Sequence, residues 1–178
     1  MVAHTDTPRH PLDQPWDLYL HHTGGSSSDT YGSAYVHALR VETCEQWGAM
    51  VQHVPPLGRA CARGKIRTRQ GHVSGYSFFR NGILPEWEHP SNERGSTLLA
   101  RLTDAAAADR AWQALLCECG RGAAPACVTG VQMTVRDSRW GSHCRISAWT
   151  TKRKGSAALA REWLLRLGLS ATETPRKY

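Results

Sequence analysis

Trp87 and Glu88 set a flat indole beside a carboxylate in the loop Asn81-Gly82-Ile83-Leu84-Pro85-Glu86-Trp87-Glu88. Such a pair suits a purine. Guanine presents N1–H and its exocyclic amine side by side, a two-donor edge that one carboxylate accepts together. The neighbouring indole stacks on the same base for about 1–3 kcal/mol. A base made cationic by N7 methylation adds a cation–π attraction of about 0.5–2 kcal/mol. The competing reading of Trp87 is a loop tryptophan packed over a hydrophobic surface. Tyr31, at the end of the loop containing Gly24-Gly25-Ser26-Ser27-Ser28, is a candidate for the opposite wall of the base. Its competing reading is a strand-start residue packed on the core.

Charge points the same way. The chain carries 22 lysines and arginines against 15 acids, a formal net charge of +7, and 18 of the 22 cations are arginine. An excess of this size favours a polyanionic partner, nucleic acid ahead of membrane because no basic amphipathic helix stands out. Planar guanidinium forks grip phosphate bidentately and stack on bases. Arg136 and Arg145 flank the loop Asp137 to Cys144, and Arg139 lies within it. They are either solvated loop cations or a cluster fitted to consecutive phosphates. The stretch Leu57 to His72 carries Arg59, Arg63, Lys65, Arg67 and Arg69 with no acid, and is long for a loop.

Enzyme motifs fail on inspection. Gly58 to Lys65 resembles a phosphate loop only superficially: five residues separate the glycines, and Ile66 stands where a hydroxyl is needed. No dinucleotide fingerprint, nucleophile elbow or His-Glu-x-x-His is present. His143-Cys144 is a nucleophile pair only by adjacency, since neighbours in a strand face opposite ways. The expectation is no enzyme, no cofactor and no metal. The six cysteines, Cys44, Cys61, Cys117, Cys119, Cys127 and Cys144, are irregularly spaced and include no Cys-x-x-Cys pair, so reduced cytosolic thiols are expected. No apolar run approaches the roughly 20 residues that span a bilayer. Met1 to His10 lacks the layout of a signal peptide, so a cytoplasmic location is expected.

Alternation and period place the elements. Trp16 to Leu20 and Ser33 to Arg40 read as strands; Glu42 to Val54 carries a helical stripe that Pro55-Pro56 ends. Tyr76 to Phe79 and Thr97 to Leu102 read as further strands. Asp104 caps an alanine-rich helix to about Cys119; Cys127 to Val135 and Cys144 to Thr151 form two strands. Ser156 to Leu167 is a last helix, stopped by Gly168. The order strand-strand-helix, three times over, predicts an α+β fold: a mostly antiparallel sheet, curved in the family that these segments resemble (below), with three helices packed on one face. The other face stays open for a ligand. The expected layout is a flexible tail over 1–9, one domain over 10–170 with a basic loop insert at 57–72, and a short tail over 171–178.

In order and spacing, these segments resemble the eukaryotic translation initiation factor 4E family of mRNA cap-binding proteins. His10-Pro11-Leu12 followed by Trp16 is similar to that family's entry motif. Tyr76-Ser77-Phe78-Phe79 through Trp87-Glu88 resembles its second cap loop, followed by Asn92-Glu93-Arg94-Gly95. Val135-Arg136 and Arg145 through Thr151 resemble its phosphate-binding strands, and Arg166-Leu167-Gly168-Leu169 the end of its last helix.

The resemblance implies a cap pocket on the concave face: Trp87 and Tyr31 as stacking walls, Glu88 on the guanine edge, Trp149 at the N7-methyl group, and Arg136 with Arg145 on the phosphates. Tyr31 falls where the family usually has a second tryptophan, so a weaker stack is expected. Arg139 and Trp140 are additional candidate RNA contacts. The implied partners are capped mRNA and a scaffold factor 4G-like or other 4E-binding protein, with no membrane. The implied partner groove on the convex face holds His10, Pro11, Leu12, Trp47, Gln113 and Cys117. Gly48 falls where the family's exposed tryptophan is expected, and Trp47, turned by about 100°, should face the core, so an altered partner peptide is expected. The chain ends at Tyr178, so the family's cap-closing C-terminal loop is expected to be mostly absent. A general RNA-binding module without cap selectivity is the alternative.

Overall fold

Trp16, Leu18 and Leu20 alternate with Asp17, Tyr19 and His21, and in the computed structural model this stretch is the middle of strand β1 (Pro11–Thr23). The structure describes residues 9–23, 35–62, 66–68, 71–138 and 141–174. Trp16 and Leu18 are each 2% exposed and face the helices, whereas Asp17 and His21 face the other side of the sheet.

The remaining strands are β2 (Tyr35–Thr43), β3 (Ile66–Thr68), β4 (Gly71–Arg80), β5 (Thr97–Leu102), β6 (Val128–Ser138), β7 (Gly141–Thr150) and β8 (Thr172–Thr174). They form one curved sheet in the order β2-β1-β4-β6-β7-β5-β8, with β3 beside β4, and every described pairing is antiparallel. The predicted α+β class is therefore what the chain adopts.

Local chemistry sets the helix boundaries. In α1 (Cys44–His53), the Thr43 side chain accepts from Gln46 N–H, and Gln46 returns the bond to the Thr43 backbone, a reciprocal capping box. Asp104 caps α3 (Ala105–Gly120) by accepting from Ala107 N–H at 2.8 Å. Past α4 (Ser156–Arg166), Gly168 adopts φ +74, and Leu169 N–H closes back on Leu164 C=O at 2.9 Å.

Trp112, Leu115 and Leu116 of α3 and Trp163 and Leu164 of α4 pack against the sheet with Met50 of α1. Trp16 and Phe78 stack at 5.2 Å, and the Arg80 guanidinium lies 5.1 Å from the Trp16 ring centroid. On this helix-bearing side an apolar groove of about 600 Å³ opens among Leu20, Leu39, Met50, Val54, Ile66 and Val73.

Two segments expected as a loop and a tail hold regular elements among their described residues. Within 57–72, Leu57–Ala62 is a fourth helix, α2, and Ile66–Thr68 is β3. Leu57 is fully buried, and Gly58 N–H and Arg59 N–H both donate to the Asp109 carboxylate, at 2.7 and 3.0 Å. A carboxylate at a helix start satisfies donors that the helix itself leaves open. β3 fills the edge of β4 at Gly71–Val73, just beyond Gly75, where pairing with β6 begins. Within 171–178, Thr172–Thr174 adds β8 to the edge of β5.

Candidate nucleotide-binding site

The face of the sheet opposite the helices is built in rows, because residues paired across antiparallel strands point to the same side. One row runs Thr97, Trp149, Gly130, Phe79, Asp17 and Arg40. Two residues along the strands, a second runs Leu99, Ser147, Gln132, Ser77, Tyr19 and His37. The third runs Arg101, Arg145, Thr134, Gly75, His21 and Tyr35.

Trp149 is half-buried in the first row and packs edge-to-face with Phe79, the ring centroids 5.4 Å apart and the planes at 76°. Gly130 lies between their strands, and a Cβ there would run into the Phe79 ring. This is an edge-to-face aromatic pair, the arrangement ring quadrupoles favour.

The loop between β4 and β5 is fastened to this row at several points. Asn81 N–H donates to Pro15 C=O at 2.9 Å, and Gly82 N–H to Asp17 Oδ2 at 3.1 Å. Burial pushes Asp17 up, but hydrogen bonds from Arg40, His37 and Gly82 outweigh it and hold the carboxyl below its usual range. Fully buried Asn92 donates through Nδ2 to Leu84 C=O and Glu86 C=O, at 2.9 and 2.8 Å. Its Oδ1 accepts from Thr129 Oγ1 at 2.7 Å, and Thr129 sits at the strand irregularity next to Gly130. Gly95 lies so close to the Thr150 carbonyl that no side chain fits there.

Trp87 projects from this fastened loop 46% exposed, and Glu88 is exposed with no hydrogen bond or ion pair among the described residues. An indole and a carboxylate thus stand ready on a loop tied to the Trp149 row.

The middle of the open face is polar. His21 Nε2 and Ser77 Oγ are 2.6 Å apart, Gln132 Nε2 donates to Ser77 Oγ at 3.1 Å, and Ser147 Oγ lies 3.5 Å from Gln132 Oε1. Burial, then the positive charge of Arg136, pushes the His21 pKa down to about 3, so the ring is neutral at pH 7.

Beyond that floor stands positive charge. Arg136 is exposed and paired with His143 across β6 and β7, and Arg145 is half-buried. Burial, then Arg136 and Arg101, pushes the Arg145 pKa down, and its Nε is buried without a hydrogen-bond partner. Among the described residues no carboxylate pairs with Arg101, Arg136 or Arg145, whereas Arg40, Arg59, Arg121 and Arg161 each pair with an acid. Unpaired arginines converging on one face are suited to a polyphosphate.

Of the residues expected from the sequence, Trp87, Glu88, Trp149, Arg136 and Arg145 stand on this loop and face. Tyr31, Arg139 and Trp140 lie outside the described residues. On the helix side, His10 Nδ1 lies 2.6 Å from Glu45 Oε1, Pro11 is exposed, and Leu12 packs against the core. Trp47 is half-buried, its Nε1 donating to Leu116 C=O at 3.1 Å, while a Cβ on Gly48 would meet nothing within 4 Å. Gln113 and Cys117 are exposed on α3.

Sequence reasoning missed Arg101, the bonding role of Asn92, Gly130 and the His21–Ser77–Gln132 floor. For Arg101 a signal existed: Leu98, Ala100 and Leu102 alternate with it, which turns Arg101 away from the core. The other three act through strands far apart in sequence.

The family model for eukaryotic initiation factor 4E matches residues 11–175. A eukaryotic translation initiation factor 4E from Dictyostelium discoideum is 25% identical over 105 residues, 58% of this chain and 38% of that protein. The Danio rerio factor 4E-1A is 29% identical over 126 residues, 67% of this chain and 52% of that protein. The matches thus span between about two fifths and half the length of these relatives.

Among solved structures, the complex of C. elegans eIF4E-3 with the 4E-binding protein Mextli and a cap analogue superposes with TM-score 0.72 at 18% identity, covering 94% of this chain and 93% of that one. A schistosome eIF4E complexed with m7GpppG and 4E-BP gives 0.71 at 20% identity, covering 94% and 88%. The fold is shared, and because the family match runs through nearly the whole chain, this protein belongs to the eukaryotic initiation factor 4E family.

Proposed function

We propose that this protein binds the 7-methylguanosine cap of mRNA and acts in translation initiation or its regulation, as a binding factor and not an enzyme. The observation that carries the reading is the Asn92–Thr129 hydrogen bond, which ties the loop presenting Trp87 and Glu88 to the strand beside Trp149. In this reading Trp87 and Tyr31 sandwich the methylated base, Glu88 accepts its two donors, and Trp149 lies against the N7-methyl group. Arg136 and Arg145 hold the phosphates, with Arg139 and Trp140 on the nucleotides that follow. The cap analogue and m7GpppG in the C. elegans and schistosome structures support the same ligand class here.

Stacking on a cationic base and charge-assisted bonds to phosphate are each worth a few kcal/mol before ordering costs. A net affinity of roughly micromolar or better follows. The cytoplasm, where translated mRNA is found, is the proposed location.

A partner peptide is proposed for the convex face, from a 4G-like scaffold or another 4E-binding protein; the Mextli and 4E-BP complexes support that class. With Trp47 turned onto α3 and Gly48 bare, that peptide meets His10, Pro11, Leu12, Gln113 and Cys117 on a flatter surface.

The unpaired arginines favour one other reading, an RNA-binding module that grips phosphate whatever the base. Competition separates the two: 7-methyl-GTP should displace a labelled cap analogue far better than GTP does. Equal competition by GTP would defeat the cap reading and leave the phosphate-binding one standing.

A further inference from the structure

Arg101 lies four residues along β5 from Thr97, and Arg145 four residues along β7 from Trp149. The pairs Thr97–Trp149 and Arg101–Arg145 are both in register, so Arg101 stands beside Arg145 on the open face. At 3.3 Å per residue, this places the arginine pair about 13 Å along the sheet from the Trp149 row. Arg136 is one step further on, paired with His143.

Like charges directly opposite one another on neighbouring strands destabilise a sheet. Arg101 and Arg145 form such a pair, Arg136 adds its charge to Arg145, and no described carboxylate offsets any of them. The Arg145 Nε is also buried without a hydrogen-bond partner. A bound polyanion satisfies both conditions: it screens the repulsion and accepts from the forks.

We propose that Arg101 on the edge strand is a third phosphate-contacting side chain, completing with Arg145 and Arg136 a three-arginine clamp for the cap's triphosphate. The inference rests on the proposed function for its ligand, but its geometry is that of the strand register. The base sits at the Trp149 row, and the phosphates run along the strands over the polar floor of Gln132 and Ser77. Beside Arg145, Arg101 closes the clamp from the outer side, where β5 is nearly the last strand of the sheet.

The test compares Arg101→Ala, Arg101→Lys and a charge-matched control, Arg110→Ala. Arg110 is exposed on α3, on the opposite side of the sheet. Intrinsic tryptophan fluorescence is titrated with 7-methyl-GTP, 7-methyl-GDP and 7-methylguanosine. Arg101→Ala should lose about tenfold in affinity for 7-methyl-GTP, the effect of one charged hydrogen bond. It should lose less for the diphosphate and nothing for the bare nucleoside. Arg101→Lys should recover part of the loss, and the weakening of 7-methyl-GTP binding by added salt should be smaller in Arg101→Ala than in the wild type, because one charge pair fewer is screened. Arg110→Ala should match the wild type.

Unchanged 7-methyl-GTP binding in Arg101→Ala, or an equal loss in Arg110→Ala, would overturn the proposal. Failure of the cap reading looks different: wild-type protein would not prefer 7-methyl-GTP to GTP, and Arg101→Ala would still weaken both. A second readout does not need the ligand. Burial, then Arg101, holds the His143 pKa down. Its titration, followed by NMR, should therefore move up in Arg101→Ala, and a His143 curve that does not move would place Arg101 off this face.

Discussion

Trp149 and Phe79 pack edge-to-face, their ring centroids 5.4 Å apart, with the Phe79 ring in the space that Gly130 leaves by having no side chain. Two aromatic rings from strands on either side of β6 thus touch across it, and the orientation of Trp149 depends on a glycine. Gly130→Ala should force the Phe79 ring to move, at about 1–3 kcal/mol in stability for an overpacked site. Because Phe79 supports Trp149, affinity for 7-methyl-GTP should fall as well. Thermal denaturation and fluorescence titration measure the two; a fully stable variant with wild-type affinity would show that the Phe79 contact does not hold Trp149 in place.

Asn92 touches no ligand in the proposed pocket, yet it holds the loop that does. Replacing it with alanine removes the donors to Leu84 C=O and Glu86 C=O and strands Thr129 Oγ1. Buried polar groups left without partners cost about 1–3 kcal/mol each. Asn92→Ala should therefore lose several kcal/mol of stability and, in whatever fraction remains folded, most cap affinity. Thr129→Val removes one of the three bonds and should show a smaller effect in the same direction. Ranking the two variants by urea denaturation checks the assignment.

Where local patterning decides, the fold was legible. Thr97–Leu102 matches its expected bounds because Leu98, Ala100 and Leu102 alternate cleanly with solvent-facing neighbours. Helix α1 was expected over Glu42 to Val54 and runs Cys44–His53, bounded by its capping box and by Pro55-Pro56. The helix Leu57–Ala62 inside the expected Leu57 to His72 loop was not legible, because the carboxylate that organises its first turn, Asp109, lies about fifty residues downstream. The same reason hid half of the site. Trp87 and Glu88 are neighbours in sequence and so could be seen, whereas Arg101 gains meaning only from a register with Arg145. Asn92 was visible as part of a family segment, but its bond to Thr129 spans 37 residues.

His21 predicts a pH dependence. Its pKa falls to about 3 in the fold against 6.5 for the free side chain, chiefly through burial. Between those values the unfolded chain binds the proton that the folded one refuses, so stability rises with pH and is lost as pH drops. One pKa unit is about 1.36 kcal/mol, which makes the loss about 2–3 kcal/mol between pH 7 and pH 4.5. Most carboxylates titrate below that window, so the slope there belongs largely to histidine. Urea unfolding at pH 7, 5.5 and 4.5 should show it, and His21→Phe should flatten it. An equal slope in the variant would mean that another group carries the effect.

Trp87 offers the cleanest separation of binding from folding. It is 46% exposed and stacks on no described ring, so Trp87→Ala should leave thermal stability within about 0.5 kcal/mol of wild type. Binding should respond quite differently. Losing one stack costs about 1–3 kcal/mol, and losing its share of the cation–π attraction adds about 0.5–2 kcal/mol. Together these weaken 7-methyl-GTP by tenfold to several thousandfold. Trp87→Phe keeps a smaller ring and should fall between. Glu88→Gln tests the edge contact separately: an amide offers one acceptor and a donor that opposes guanine's own donors. That variant should keep affinity for a methylated purine in general while losing its preference for guanine over adenine caps. Unchanged discrimination would remove Glu88 from the guanine edge, and a large drop in the stability of Trp87→Ala would make that tryptophan a packing residue.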